Sequence, residues 1–217
     1  MAITGMNPAT LDAARQEMGS NVLVLSADAG DVASQQVVAA SVREAFGELD
    51  ILVVNAGVAD LRPIGQVDEA NFDRSFSINL KGPYFLIQAL LPFFANPASI
   101  VLNTSINAHL GMPNSSIYAA SKAALLSLSR TLSGELIARG IRVNAISPGP
   151  VSTPLHHKLA TTDAERDAIS KFMIGQIPAG RFGNAAEIAQ AMVFLASDEA
   201  AFTVGAELVI DGGMSTL

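Results

Sequence analysis

Four short runs in this chain are apolar at every position: Val22 to Leu25, Ile51 to Val54, Ile100 to Leu102 and Leu208 to Ile210. Each is too short for a helix, and longer segments of helical periodicity separate most of them. A strand that is apolar at every position has to be covered on both faces. A parallel sheet sandwiched between two layers of helices satisfies that condition, because each crossover lays a helix on one face. The alternation therefore predicts an α/β fold with a doubly wound parallel sheet. Strands are expected at Ala2–Gly5, Asn21–Ser26, Asp50–Val54, Ser99–Asn103, Ile141–Ile146 and Glu207–Ile210.

The helices between them carry their own punctuation. Asn7-Pro8 reads as an N-cap followed by proline at the first helical position, with Gly19 as the stop after Met18. Asp31 can cap a helix that runs to Phe46, with Gly47 just beyond it. A long helix is expected from Asp68 to Phe94, bent near Gly82-Pro83. Another is expected from Ser116 to Ala138, and a helical excursion at residues 155–174. Asn184 and Glu187 have the spacing of a capping box for a helix to Ala196.

The 217 residues read as one domain, 1–217, with no internal repeat or linker. Half of them are hydrophobic and 15% are charged, which argues for a packed body and against disorder. A net charge of −7 without a basic cluster argues against nucleic acid, and no docking patch suggests an acidic carrier protein. No apolar run approaches the roughly 20 residues needed to cross a bilayer. The first residues lack the charged and apolar regions of a signal peptide. The absence of cysteine removes disulfides and thiolate metal sites, and suits a cytoplasmic protein. The three histidines lack metal-ligand spacing, so no metal site is expected.

In a sheet of this kind ligands sit beyond the carboxyl ends of the strands. Asp28, Asn55-Ala56-Gly57, Ser105 and Pro148-Gly149 each follow a predicted strand and would gather at one edge. The helix from Ser116 begins beside them with Tyr118 and Lys122, four residues apart and so on one helical face. A phenol titrates near ~10 and is a poor proton donor and acceptor at neutral pH. A neighbouring ammonium favours the phenolate, so the pair could exchange a proton with an alcohol oxygen.

These segments, in this order, resemble the short-chain dehydrogenase/reductase family. The resemblance rests on Asp28 in Ser26-Ala-Asp-Ala-Gly-Asp31, the Asn55-Ala56-Gly57 turn, Asn79 in Ser77-Ile-Asn-Leu-Lys-Gly82, and Ser105. It rests equally on Tyr118-x-x-x-Lys122, Pro148-Gly149-Pro150-Val151-x-Thr153, and Gly205 to Gly213. It implies a Rossmann-like fold and an NAD(P)-dependent oxidoreductase interconverting a secondary alcohol and a ketone. Tyr118 would be the general acid in reduction and the general base in oxidation. Ser105 would hydrogen-bond the substrate oxygen, and Lys122 would lower the tyrosine pKa and hold the nicotinamide ribose. Asn79 would anchor a water in a proton relay, or simply bond neighbouring backbone. Asp28 and Ala29 would contact adenine, although Asp28 could only cap the next turn. Asn55, Ala56 and Gly57 would let the cofactor approach the backbone. Pro148, Gly149, Val151 and Thr153 would border the nicotinamide. The resemblance also implies a homodimer or homotetramer, built on the 68–94 helix and on the small residues Ala119, Ala120, Ala123, Ala124 and Ser127. Phe93-Phe94 and Phe172-Met173 read as core or interface.

The resemblance breaks at the start. Such enzymes open with a strand, a glycine-rich turn and a helix, the turn gripping the pyrophosphate. Ala2–Gly5 already resembles the family's second strand. Roughly 25–30 residues, most of a βαβ unit, would precede it in the family, so a start codon placed too late or a shortened chain is expected. The missing strand would lie between those at Ala2 and Asp50. Gly5 stands where an NAD-preferring member often has Asp, and Met6 where an NADP-preferring one often has Arg. The missing acid leans toward NADP. His109, His156 and His157 border the predicted pocket, as substrate contacts or as solvated imidazoles. The competing function is a disabled Rossmann-like scaffold that binds no cofactor.

Overall fold

A computed structural model of the chain describes residues 1–153 and 162–217. In order, its elements are β1 (Ala2–Gly5), α1 (Pro8–Met18), β2 (Leu23–Ser26), α2 (Val32–Phe46), β3 (Leu49–Val54) and α3 (Glu69–Phe76). There follow α4 (Gly82–Leu90), β4 (Phe94–Asn103), α5 (Ser116–Leu136), β5 (Ile141–Pro148), β6 (Val151–Ser152) and α6 (Asp163–Ile174). The chain closes with β7 (Gly183–Asn184), α7 (Ala185–Ala196) and β8 (Glu207–Ile210). It is an α/β fold, with parallel strands flanked by helices.

The capping residues act as their chemistry dictates. Asn7 accepts from the amide of Ala9 and starts α1 with Pro8 in its first turn. Asp31 accepts from Ala33 and Ser34 at the start of α2. Asn184 and Glu187 form the reciprocal capping box of α7. Gly19 and Gly47 end α1 and α2 at positive φ, which L side chains adopt at a cost.

β3, β4, β5 and β8 form a four-stranded parallel sheet in that order. Its interior alternates in the way two covered faces require. Ile100 and Leu102 of β4 and Val143 of β5 pack with Leu125 and Leu136 of α5 and Ile87 of α4. Val101 and Ile146 point the other way and pack with Ile188 and Leu195 of α7. Each such side chain contributes about 1.5–3 kcal/mol of transfer free energy when buried, so these two layers anchor the strand ends that carry the site.

The sheet differs from expectation in one respect. Among the described residues β1 pairs only with β2, from Ala2↔Leu23 to Gly5↔Ser26, and β3 only with β4. The single doubly wound sheet is thus divided in two. Among the described residues no strand lies between β1 and β3, where the resemblance places one. Apolar packing joins the two parts: Val38, Ala39 and Val42 of α2, with Leu90, gather Ala2 and Leu25 from one sheet and Leu49 and Leu52 from the other. β2, expected to be buried, is half-buried because it is an edge.

The long helix also differs. Residues 77–81 form a π-helical turn between α3 and α4, and Pro83 sits in the first turn of α4, where no amide is needed. Of the expected excursion, the structure describes α6. Phe172 on it is exposed, which removes it from the core.

Candidate active site

Ser105 follows β4 directly and opens a short 3-10 turn, Ile106 to Ala108, accepting the amide of Asn107 at 3.2 Å. Tyr118 lies in the first turn of α5, and the Ser105 hydroxyl is near enough to its phenol to favour the ionised form. Lys122 follows one turn later. Its Nζ lies 5.9 Å from the Tyr118 ring centroid and donates to the carbonyl of Asn103 at 2.7 Å. The end of one strand and the start of one helix therefore present a hydroxyl, a phenol and an ammonium together.

The electrostatics depart from the simple pairing expected from the sequence. Burial pushes the Tyr118 phenol above its ordinary value, and the Ser105 hydroxyl offsets part of that rise. Lys122 is itself desolvated, and its ammonium donates to the carbonyl of Asn103. Burial lowers the Lys122 pKa from 10.5 to about 8.

Asn79 is fully buried on the π-helical turn. Its side chain accepts from the amide of Val58 at 2.8 Å and donates to the carbonyl of Val58 and the hydroxyl of Ser121, both at 2.9 Å. Those bonds reach the loop after β3 and the helix α5, 21 and 42 positions away in the chain. Asn79 still sits beside the lysine: a Cβ on Gly57 would lie 3.3 Å from both Asn79 Oδ1 and Lys122 Nζ. Glycine at 57 keeps that space open.

Asn55, Gly57, Ser105, Tyr118, Lys122, Pro148, Gly149, Val151 and Thr153 line one cavity of about 540 Å³. That volume suits a small ligand. Ala56 is exposed next to it. Gly149 is required by close approach: a Cβ there would stand 2.6 Å from Cβ of Asp211. Asp28 and Ala29 lie outside this cavity. Asp28 accepts the amide of Gly30 at 2.8 Å, the turn-capping role.

The histidines separate. His109 points at Glu207, 2.6 Å from Nε2 to Oε1, and does not line the cavity. His156 and His157 lie outside the described residues. Sequence reasoning missed the α7 wall of the cavity, Ile188 and Met192, which only the packing of α7 reveals. It missed Glu207 too, which has no local pattern to mark it.

Residues 1–215 match the family model adh_short_C2, described as enoyl-(acyl carrier protein) reductase. D-threitol dehydrogenase of Mycolicibacterium smegmatis is 43% identical over 188 residues, 86% of this chain and 70% of that protein. 2-Keto-3-deoxy-L-fuconate dehydrogenase of Xanthomonas campestris pv. campestris is 38% identical over 175 residues, 79% of this chain and 58% of that protein. Among solved structures, a blue fluorescent protein from a metagenomic library in complex with NADPH superposes with a TM-score of 0.90 at 30% identity. It covers 99% of this chain and 87% of its own. The match over nearly the whole chain, together with the parallel α/β sheet that carries the tyrosine and lysine, shows that this chain belongs to the short-chain dehydrogenase/reductase family of oxidoreductases.

Proposed function

We propose that the chain interconverts a secondary alcohol and a ketone with NAD(P) as redox partner. The observation that carries this reading is the gathering of Ser105, Tyr118 and Lys122 in the lining of one ligand-sized cavity, with the Ser105 hydroxyl favouring ionisation of the Tyr118 phenol. In reduction, Tyr118 Oη gives its proton to the carbonyl oxygen as it gains charge, while Ser105 donates a hydrogen bond to the same atom. In oxidation the Tyr118 phenolate takes the hydroxyl proton. Lys122, with a pKa of about 8, is poised to pass protons on near neutrality.

The residues present fit the nicotinamide end of the cofactor. Asn103 Oδ1 is a buried acceptor with no partner among the described residues, and Asn103 lines the cavity. Lys122 has three N–H donors, one of which is directed at Asn103. A ribose can answer both groups. Tyr118, Lys122, Pro148, Gly149, Val151 and Thr153 would hold that end, with Asn55, Ala56 and Gly57 at its back and Asp28 and Ala29 toward adenine. A bound nicotinamide would supply or accept the hydride. Gly5 and Met6 offer no carboxylate against a 2′-phosphate, which favours NADP. We place the protein in the cytoplasm as a dimer or tetramer acting on small molecules.

One observation favours a second reading, a scaffold without cofactor: among the described residues β1 and β3 each have one unpaired edge, and no glycine-rich phosphate turn is present. Fluorescence titration with NADPH and NADH separates the two. Saturable binding, followed by turnover of alcohols, polyols or 3-oxo esters, supports the enzyme. No binding at millimolar cofactor leaves the scaffold.

A further inference from the structure

Glu207 opens β8, and its side chain is 11% exposed. Its carboxylate collects donors from three other parts of the chain. Ser147 of β5 donates at 2.5 Å, His109 Nε2 stands at 2.6 Å, and Arg130 of α5 donates at 3.3 Å. Ser147 continues the path, because Thr104 Oγ1 lies 2.5 Å from its hydroxyl. The carbonyl of Ile146 accepts both the Thr104 amide and the Thr104 hydroxyl, each at 2.8 Å. Ser147 gives its proton to the carboxylate, so the Thr104–Ser147 contact is held by the Thr104 proton, shared between Ser147 Oγ and the carbonyl of Ile146.

Thr104 immediately precedes Ser105, and His109 immediately follows the turn that Ser105 opens. One carboxylate thus ties down both ends of the segment carrying the candidate catalytic serine. The segment needs such an anchor. It is a single 3-10 turn, held by the bonds Ala108 N to Ser105 O at 3.0 Å and His109 N to Ile106 O at 2.9 Å, and such turns are weakly stable on their own. A hydroxyl must be held within about 0.5 Å to serve a transition state.

We propose that Glu207 is a positioning residue for Ser105: through Ser147 and Thr104 on one side and His109 on the other, it holds the serine hydroxyl against Tyr118. The proposal rests on the alcohol–ketone reading of the site. It assigns no contact between Glu207 and substrate.

The test reads the phenol directly and needs neither cofactor nor turnover. The chain has two tyrosines, Tyr84 and Tyr118, and Tyr84 is outside the site. In a Tyr84→Phe background, ultraviolet absorbance titration follows Tyr118 alone. Ser105→Ala is expected to raise its midpoint, because the offsetting hydroxyl is lost. Glu207→Met keeps the side-chain length, removes the acceptor, and is expected to raise the midpoint in the same direction. Glu207→Gln keeps one oxygen for Ser147 and is expected to return it toward the parent. Where turnover is measurable, Glu207→Met lowers kcat about tenfold, with KM changed much less. If Glu207→Met leaves the midpoint at the parent value while Ser105→Ala moves it, the proposal is wrong. A Ser105→Ala midpoint equal to the parent's overturns it as well. Should Glu207→Met fail to fold, Ser147→Ala is read in its place: a raised midpoint supports the proposal and an unmoved one overturns it. Absence of turnover in the parent would count against the enzymatic reading alone, since the titration still reports the position of Ser105.

Discussion

The carbonyl oxygen of Ala29 occupies the space that a side chain on Gly82 would need. Gly82 begins α4 directly after the π-helical turn that carries Asn79, and Ala29 belongs to the loop after β2. The contact locks the Asp28–Ala29 loop to the element that presents Asn79 beside Lys122. It joins the two sheets at the edge where the candidate site lies.

A methyl group at position 82 has nowhere to go, since the obstacle is backbone. Gly82→Ala is expected to destabilise the fold by about 3 kcal/mol or more, at or above the upper end of ordinary overpacking. Chemical denaturation checks this. A variant within about 0.5 kcal/mol of the parent would mean that the loop and the turn are not packed as described.

Tyr118→Phe removes the phenol and leaves the ring. Turnover is expected to fall about 10³-fold, within the usual range for loss of a general acid–base, with cofactor affinity and melting temperature nearly unchanged. Ser105→Ala is expected to cost about 10²–10³-fold, as for loss of one oxyanion donor. Steady-state kinetics against a screened alcohol measures both. Full turnover in Tyr118→Phe would remove the tyrosine from the mechanism.

Much of this was legible from local chemistry. Asn7-Pro8, Asp31 and the Asn184–Glu187 pair announce helix starts within a few residues, and the apolar runs announce strands. The motif residues gather because strand ends gather in a parallel sheet. What was not legible depends on contacts between distant segments. Gly82 resembles any other glycine before a proline until Ala29 is placed against it. The π-helical turn has no period distinct from helix in the sequence. Lys122 reads as a cation aimed at Tyr118, and only the fold directs it to Asn103 and buries it. Glu207 reads as the polar start of a strand, and its partners lie 60 to 98 positions away in the chain.

Arg142 lies buried on β5 and donates to the carbonyls of Leu195 and Ser197, both at 3.0 Å. These are the last carbonyls of α7 and its cap, which a cation stabilises. Arg142→Met is expected to cost about 1.5–3 kcal/mol, because charged hydrogen bonds are lost, while Leu195 keeps the Ser99 hydroxyl and Ser197 keeps the amide of Ala200. Hydrogen exchange should rise first in α7. A variant as stable as the parent would show that water replaces the guanidinium.

Lys122 sets function against stability. The unfolded lysine titrates near its ordinary 10.5 and the folded one at about 8. Between those values the unfolded chain holds a proton that the folded chain has released, so stability rises with pH across that window. Below pH 8 the full desolvation penalty of roughly 3 kcal/mol applies. Lys122→Met removes it and forfeits the bond to Asn103, a loss of about 1–3 kcal/mol. The variant is therefore expected to be as stable as the parent at pH 7 or more stable by up to about 2 kcal/mol, while losing turnover. Its advantage should shrink from about pH 8 and reverse before pH 10.5, where the parent no longer carries the penalty and keeps the bond to Asn103. Paired denaturation curves across that range decide the matter: a difference that stays flat with pH, or a less stable variant at pH 7, would show that Lys122 is not held as a desolvated ammonium.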